Sequence, residues 1–394
     1  RMPESRDFHE QAMDILRKEP PAAAALPESR FELARTLSFL STPLMGPPSH
    51  RGGASGGRHG RSSPGERLRE PRLREPAENN RKALEILAAL THDSPESPRY
   101  RLATAHSQRD RYLLAVLGGR QEEAGQAKEE AIRILKKLVD ESPQNPAYRA
   151  ELAETYAMVD FRSRDRETAA ASVEQLRKAV EIGADLVARW PTVPAYKVTL
   201  AQSYARLAAA ARASGGVSAS GSADAEEASA KAVALQRDLA AEFPKVLTYR
   251  FVLARSLQQQ AELATSAGQL AKARASLEEA IAQMENLQGL FPGEPGARVG
   301  WVDGHRRAAL VDDPHQKSFS DEPGTGRSPV PRRMLARPYT ELAKVLHGLG
   351  EDALADAAAA KASEAFPHSG HVHRGGAKTD GDAKERLKSS SERP

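Results

Sequence analysis

The stretch Pro143-Gln-Asn-Pro146-Ala-Tyr148-Arg149-Ala-Glu-Leu152-Ala153 decides the fold of this chain, because it returns. It comes back as Pro191-Thr-Val-Pro194-Ala-Tyr196-Lys197-Val-Thr-Leu200-Ala201 and as Pro244-Lys-Val-Leu247-Thr-Tyr249-Arg250-Phe-Val-Leu253-Ala254. A looser copy, Pro95-Glu-Ser-Pro98-Arg-Tyr100-Arg101, precedes them. The leading prolines Pro95, Pro143, Pro191, Pro244 and Pro292 are 48, 48, 53 and 48 residues apart. A period of this length marks stacked supersecondary units, none of which can hide its apolar face alone. Such an array presents an extended surface, so binding is the expected class of work rather than chemistry in a pocket.

Each copy reads as helix, corner, helix. Apolar residues at i, i+3, i+4 spacing, such as Leu84, Leu87 and Ala88 or Ala131, Ile134, Leu135 and Leu138, run up to each leading proline. Proline then ends the stripe, because it lacks the N–H donor and clashes with the preceding turn. The second prolines, Pro98, Pro146 and Pro194, suit the first turn of a following helix, where no donor is needed. Breaks inside units fall at Gly118-Gly119, between Arg162 and Arg166, between Ser214 and Ser222, and at Gly268. The expectation is an all-α fold, an α-solenoid or superhelix of antiparallel helix pairs with a repeat of about 48 residues.

Residues 1–41 read as an N-terminal helical pair, Phe8 to Lys18 and Ser29 to Leu40, whose Phe31, Leu33 and Ala34 echo a degenerate first repeat. Residues 42–76 collapse into Gly, Ser, Pro and Arg and close on the near-duplicate Leu68-Arg-Glu-Pro71 and Leu73-Arg-Glu-Pro76. A stretch this poor in apolar area cannot offset its ordering entropy, and a disordered insertion is expected. Residues 77–292 carry the repeats. Residues 293–366 combine an irregular segment, with one helix around Ala297 to Leu310, and a last pair, Ala336 to Leu349 and Glu351 to Phe366, turning at Gly348-Leu-Gly350. Residues 367–394 form a polar tail, expected to be disordered.

Composition agrees with close-packed helices: hydrophobic residues make up 40% of the chain but aromatics only 5%, whereas strands favour β-branched and aromatic types. There is no cysteine, which excludes disulfides, thiol catalysis and cysteine-ligated metal. The net charge of +4 and the pI near 9.2 would suit nucleic acid. Many of the basic residues, however, sit in the segment from Arg51 to Arg74 and in the tail, while the helical body mixes Glu with Lys and Arg as solvated helix faces do. The Arg-rich segment lacks interleaved aromatics, so any nucleic-acid binding would be non-specific and salt-sensitive, and nucleic acid is not the expected partner. No apolar run approaches the roughly 18 to 20 residues of a membrane span, and no secretory leader is visible, so a cytoplasmic location is expected. The chain opens on Arg1 rather than Met, which leaves open a preceding signal, anchor or catalytic domain.

With these residues in place, the repeats resemble the tetratricopeptide repeat family, whose unit is about 34 residues. Leu152, Ala153 and Tyr156 fall on the family's Leu-Gly/Ala-x-x-Tyr positions of the first helix, as do Leu200, Ala201 and Tyr204, and Leu253, Ala254 and Leu257. Ala131, Ala179, Ala232 and Ala280 occupy the small position of the second helix, and Leu138, Leu186, Leu239 and Leu287 the next buried one. The period exceeds the family's by about 14 residues. The usual Trp gives way to Tyr148, Tyr196 and Tyr249 one position earlier, and in the first copy Leu102-Ala103 sits two residues early. The wording of the repeats also resembles bacterial regions of this family that accompany Ser/Thr protein kinases or sigma and anti-sigma regulators.

The resemblance implies a concave groove lined by first-helix residues that vary between repeats: Glu154, Met158, Gln202, Arg206, Arg255 and Gln259. This mixed-charge set suits a protein or peptide partner. The recurring Tyr-plus-base pairs have two readings, polar anchors for a peptide or a packing device at the corners. Repetition at equivalent positions favours packing, since stacking contacts must recur and partner contacts need not. His368, His371 and His373 have spacing that zinc or nickel accepts, yet they lie in the tail with no nearby carboxylate. No Gly-x-Ser-x-Gly, His-Glu-x-x-His, phosphate-binding Gly-rich loop or kinase signature occurs. No catalytic residue, cofactor or metal is expected. The other readings are a nucleic-acid-associated helical repeat and the non-catalytic part of a larger enzyme such as a kinase.

Overall fold

A computed structural model of the protein describes residues 9–15, 18, 26–42, 70–159, 166–215, 219–289 and 333–365. Among the described residues every regular element is a helix. A short helix at 9–15 (α1) leads into α2 (Pro27–Leu40), α3 (Glu70–Asp93), α4 (Pro98–Leu117), α5 (Gln121–Glu141), α6 (Pro146–Tyr156) and α7 (Arg166–Arg189). The chain continues through α8 (Pro194–Gly215), α9 (Ala219–Glu242), α10 (Leu247–Ser266), α11 (Leu270–Gly289), α12 (Arg333–Gly348) and α13 (Asp352–Ala365). From α2 onward each helix packs chiefly on the one before and the one after it, so the body is an all-α, solenoid-like stack. The even-numbered helices from α2 are the first members of each pair, and the odd-numbered ones from α3 the second.

The proline corners form as expected and are built alike. A backbone bond from residue i+3 to residue i closes each turn: Ser97 to Ser94, Asn145 to Ser142, Val193 to Trp190 and Val246 to Phe243, at 2.9–3.2 Å. The leading proline occupies the second position, where its fixed φ is pre-set for the turn. Pro98, Pro146 and Pro194 then open α4, α6 and α8. Within pairs, Gly119, Gly268 and Gly350 adopt φ of 72–78° and let the next amide reach back to Ala115, Ala264 and Leu346 at 2.8–2.9 Å, ending the first helix of the pair.

The repeat positions read from sequence lie in the core. Ala131, Ala179, Ala232 and Ala280 are at most 1% exposed, and Leu138, Leu186, Leu239 and Leu287 at most 2%. The Tyr-plus-base pairs are a packing device. Tyr196 meets Trp190 and Tyr249 meets Phe243 edge to face across their corners, with centroids 6.2 and 5.9 Å apart. Arg101 pairs with Glu141, Arg149 with Asp185 and Lys197 with Glu242, each base tying a first helix to the end of the following second helix, at 2.6–2.9 Å.

One boundary moves. Residues 70–76, assigned to the insertion by their composition, are the first two turns of α3, with Pro76 inside the helix. Pro71 falls in the first turn, where it costs no bond, and the packing of the long α3 on α2 and α4 outweighs the single donor that Pro76 removes. The last pair turns at Gly350 as expected. The readings of residues 43–69, of the segment 293–330 and of the tail with His368, His371 and His373 fall outside the described residues.

Candidate functional site

The six residues expected to line a groove on the first helices do not share one fate. Glu154 is buried, in a polar cluster joining three first helices. Arg109 of α4 reaches both Glu151 and Glu154 of α6, the latter at 3.1 Å, and Thr199 of α8 donates to Glu154 at 3.3 Å. His106 stands 3.2 Å from Glu151. Arg206 donates from α8 to the carbonyl of Ala157 at 2.8 Å. Met158 packs in the cluster of Tyr112, Ala115, Ala124 and Ala127, and Gln202 is half-buried. Only Arg255 and Gln259, on α10, lie exposed. Glu154 is therefore not a groove residue, and Arg206 ties one repeat to the next. Neighbouring first helices run close enough that polar residues on this face meet one another, as Ser38 of α2 and Ser107 of α4 also do at 2.6 Å.

The two carboxyls of the cluster are pushed in opposite directions. Glu151, held by His106 and Arg109 against the cost of its own burial, is lowered to about 2. Burial pushes Glu154 the other way, to about 7, with the Arg109 cation only partly offsetting it. One guanidinium thus serves two buried carboxyls and holds one of them ionised. Since the folded state binds the Glu154 proton more tightly than the unfolded chain does, this group makes stability fall as pH rises from about 4.5 towards 7. Glu154→Gln, which mimics the protonated acid, is expected to remove that slope. At about pH 8 the variant should be roughly 1 to 3 kcal/mol more stable than the wild type, with little difference near pH 5. Urea midpoints measured across that range test this, and parallel pH curves would refute the assignment. Lys128 of α5 is a second buried ion. Burial first, then the Arg206 cation, pulls it down to about 7, and its ammonium caps the carbonyls of Tyr156 and Met158 at the end of the short α6.

The open space lies on the other side of the stack. Between α3 and α5, with α4 as its floor, runs a groove of about 1200 Å³. Residues one turn apart line it on each helix: Ala77, Arg81, Leu84 and Ala88 on α3, Arg101, Thr104, Gln108 and Arg111 on α4, and Glu130, Ile134 and Lys137 on α5. Counting all lining residues, seven are Arg or Lys and four are Glu. Several of these charges pair with one another, Arg81 with Glu78 along α3 and Arg111 with Glu123 between α4 and α5. Three buried polar atoms on the groove lack a hydrogen-bond partner: Thr91 Oγ1, Arg101 Nε and Gln108 Oε1. All three are sealed from solvent by the protein itself, and Arg101 is only 7% exposed.

Repeat register explains why the groove is here. Thr104 stands where later copies have Leu152, Leu200 and Leu253, and Gln108 where they have Tyr156, Tyr204 and Leu257. Leu152 and Tyr156 pack with Ile134, Leu135 and Leu138 of α5 and with Leu176 and Ala179 of α7, bridging two successive second helices. Leu253 and Leu257 do the same between α9 and α11. On α4 the two bulky side chains are replaced by shorter or polar ones, and the space between α3 and α5 stays unfilled. Leu102 and Ala103 are not a displaced copy of the Leu-Ala pair. The register holds through Ala105, which is fully buried like Ala153, Ala201 and Ala254. The signal was visible as the irregular wording of the first copy, but its meaning required knowing what its counterparts cover.

Among the described residues no group of three His, Cys, Asp or Glu side chains is placed to hold a metal ion, and no helix is long and apolar enough to cross a membrane. No protein-family model matches the chain, and no curated protein matches it. Solved structures similar to it include BtubC (BKLC) from P. vanneervenii, at 14% identity and a TM-score of 0.44, with 73% of this chain and 88% of that one covered. Another is TTC0263, a thermophilic TPR protein in Thermus thermophilus, at 20% identity and a TM-score of 0.29, covering 57% of this chain and 92% of that one. Both overlays are too loose to bear on function.

Proposed function

We propose that this protein is a non-catalytic docking scaffold, which holds a partner protein or peptide in the groove between α3 and α5. The observation that carries this reading is the vacancy at Thr104 and Gln108. A position filled by large apolar side chains in later repeats is left open in this one. Folding alone gives no reason to leave a wall with Leu84 and Ala88 uncovered, whereas a ligand that completes the packing does. Membership of the tetratricopeptide repeat family, and a place in a bacterial signalling assembly, belong to the same proposal and are supported by the wording of the repeats.

The test compares two variants with the wild type in affinity capture from lysate. Ala88→Trp plugs the groove from an exposed position on its wall, while Arg255→Glu with Gln259→Glu alters the first-helix face at its two exposed positions. Partners retained by the wild type and the charge-reversed variant but lost with Ala88→Trp support the groove. Partners that survive Ala88→Trp and are lost on charge reversal would return the site to the first helices. An identical set from all three proteins would remove both.

A further inference from the structure

The groove also carries information about the chemistry of its occupant. Its three lining helices present stripes at one-turn spacing, and such ridges accept the grooves of another helix lying along them. From Arg101 to Arg111 the stripe on α4 is about 15 Å long, the length of roughly ten helical residues. The volume of about 1200 Å³ is of the order filled by that length of a helix of about 10 Å diameter. The centre of the trough is apolar, with the half-buried Leu84 and the exposed Ala88 beside the Thr104–Gln108 vacancy and the largely buried Ile134 on the far wall. Its ends are basic: His92, Arg101 and Lys137 at the corner end, Arg74, Arg111 and Arg120 at the other. Of the four lining Glu residues, Glu78, Glu85, Glu123 and Glu130 each already pair with a lining Arg. Glu141, outside the lining, answers both Arg101 and Lys137, and Glu123 answers both Arg111 and Arg120, so each end sets two cations against one carboxylate, with His92 besides at the corner end and Arg74 at the other.

We infer that the groove binds a short amphipathic helix of a partner protein, whose bulky apolar side chains occupy the space above Thr104 and Gln108 and whose acidic flanks meet the basic ends. The inference rests on the docking reading above and adds the class of ligand. An apolar centre supplies the contact area, and the charges at either end fix direction and exclude basic peptides. The ligand's side chains enter between α3 and α5 as Leu152 and Tyr156 enter between α5 and α7, from the opposite direction.

The experiment uses the full chain and three capped, fluorescein-labelled peptides of about 12 residues, a length set by the trough. The first has Leu at i, i+3, i+4 and i+7 with Glu at both ends. The second replaces each Glu by Lys, and the third has the composition of the first with a central proline that breaks the helix. Fluorescence anisotropy is expected to show the acidic helix binding at least about tenfold more tightly than either of the others, and weakening as salt is raised. Thr104→Leu combined with Gln108→Tyr restores the wording of the later repeats. This double variant is expected to lose at least about tenfold in peptide affinity while its urea midpoint stays level or rises, since it fills a space rather than making one. Equal binding of the Lys peptide would overturn the charge assignment, and equal binding of the proline peptide the helical one. Undiminished binding by the filled variant would overturn the site. Self-association of the wild type that the double variant abolishes would make a second copy of this chain the occupant and defeat the inference. If all three peptides fail while lysate capture still depends on Ala88, the acidic-helix assignment falls and the docking reading stands.

Discussion

Arg109→Met is expected to destabilise the protein by about 3 to 5 kcal/mol, because it leaves the carboxyls of Glu151 and Glu154 buried without their shared cation. The methionine retains most of the aliphatic stem, so the loss reports on charge rather than on volume. The neighbours cannot make good the deficit. Thr199 supplies one neutral donor to Glu154, and His106 contacts Glu151 and acts on Glu154 only as the weakest of its neighbours. The effect should depend on pH in a stated direction. With the cation gone both carboxyls bind protons more tightly when folded, so the deficit shrinks on acidification and grows towards alkaline pH. Urea unfolding at about pH 5 and about pH 8 measures both quantities, and a loss below about 1 kcal/mol at the higher pH would show the cluster to be solvated rather than buried. Glu154→Gln combined with Arg109→Met should recover part of the loss, since one of the two stranded charges is then absent.

Leu176→Ala is the second substitution with a large expected effect, about 3 kcal/mol. Leu176 is fully buried on α7 and packs with Ile134, Leu135 and Leu138 of α5, Leu152 and Tyr156 of α6, and Ala210 of α8. The cavity therefore opens at a junction between successive repeats rather than inside one. In a stack whose units rely on their neighbours, the consequence should spread: amide exchange is expected to accelerate in α5 and α8 as well as in α7, with α12 and α13 little affected. Leu354→Ala provides the control, because that side chain is 50% exposed and its loss should stay within about 0.5 kcal/mol. Exchange that quickens uniformly from α2 to α13 would mean that the array unfolds as one unit.

The helices and corners were legible in the sequence because their causes are local. Pro95, Pro143, Pro191 and Pro244 each take the second position of a closed turn that ends a helix, unlike Pro76 and Pro338 inside α3 and α12, and the αL glycines end one for an equally local reason. The recurring alanines and leucines on the second helices were legible too, since every copy makes the same contact and repetition exposes it. The start of α3 was not. Composition placed residues 70–76 in the insertion, and only the packing of the rest of that helix shows them to be part of it.

The candidate site was legible in one half only. Family likeness pointed to Glu154 and Arg206 as groove residues because they vary between copies, but variation has two causes. A position may face a partner, or it may face the variable surface of the next first helix, as these two do. Spacing along one helix cannot tell those apart, since it carries no information about how near the neighbouring helix comes. Thr104 and Gln108 pose the reverse problem. Each is an unremarked polar residue in its own helix, and becomes a vacancy only when Leu152 and Tyr156 are seen filling the corresponding space one repeat later.

By itself, the sequence determined that this chain is a stack of helix pairs turning at prolines, because backbone donors, fixed φ angles and apolar periodicity act within a few residues of their cause. Which face is consumed in stacking and which is left open was decided by the tertiary structure alone. That outcome depends on distances between helices roughly 48 residues apart, and on whether a side chain from one repeat reaches the space left by another.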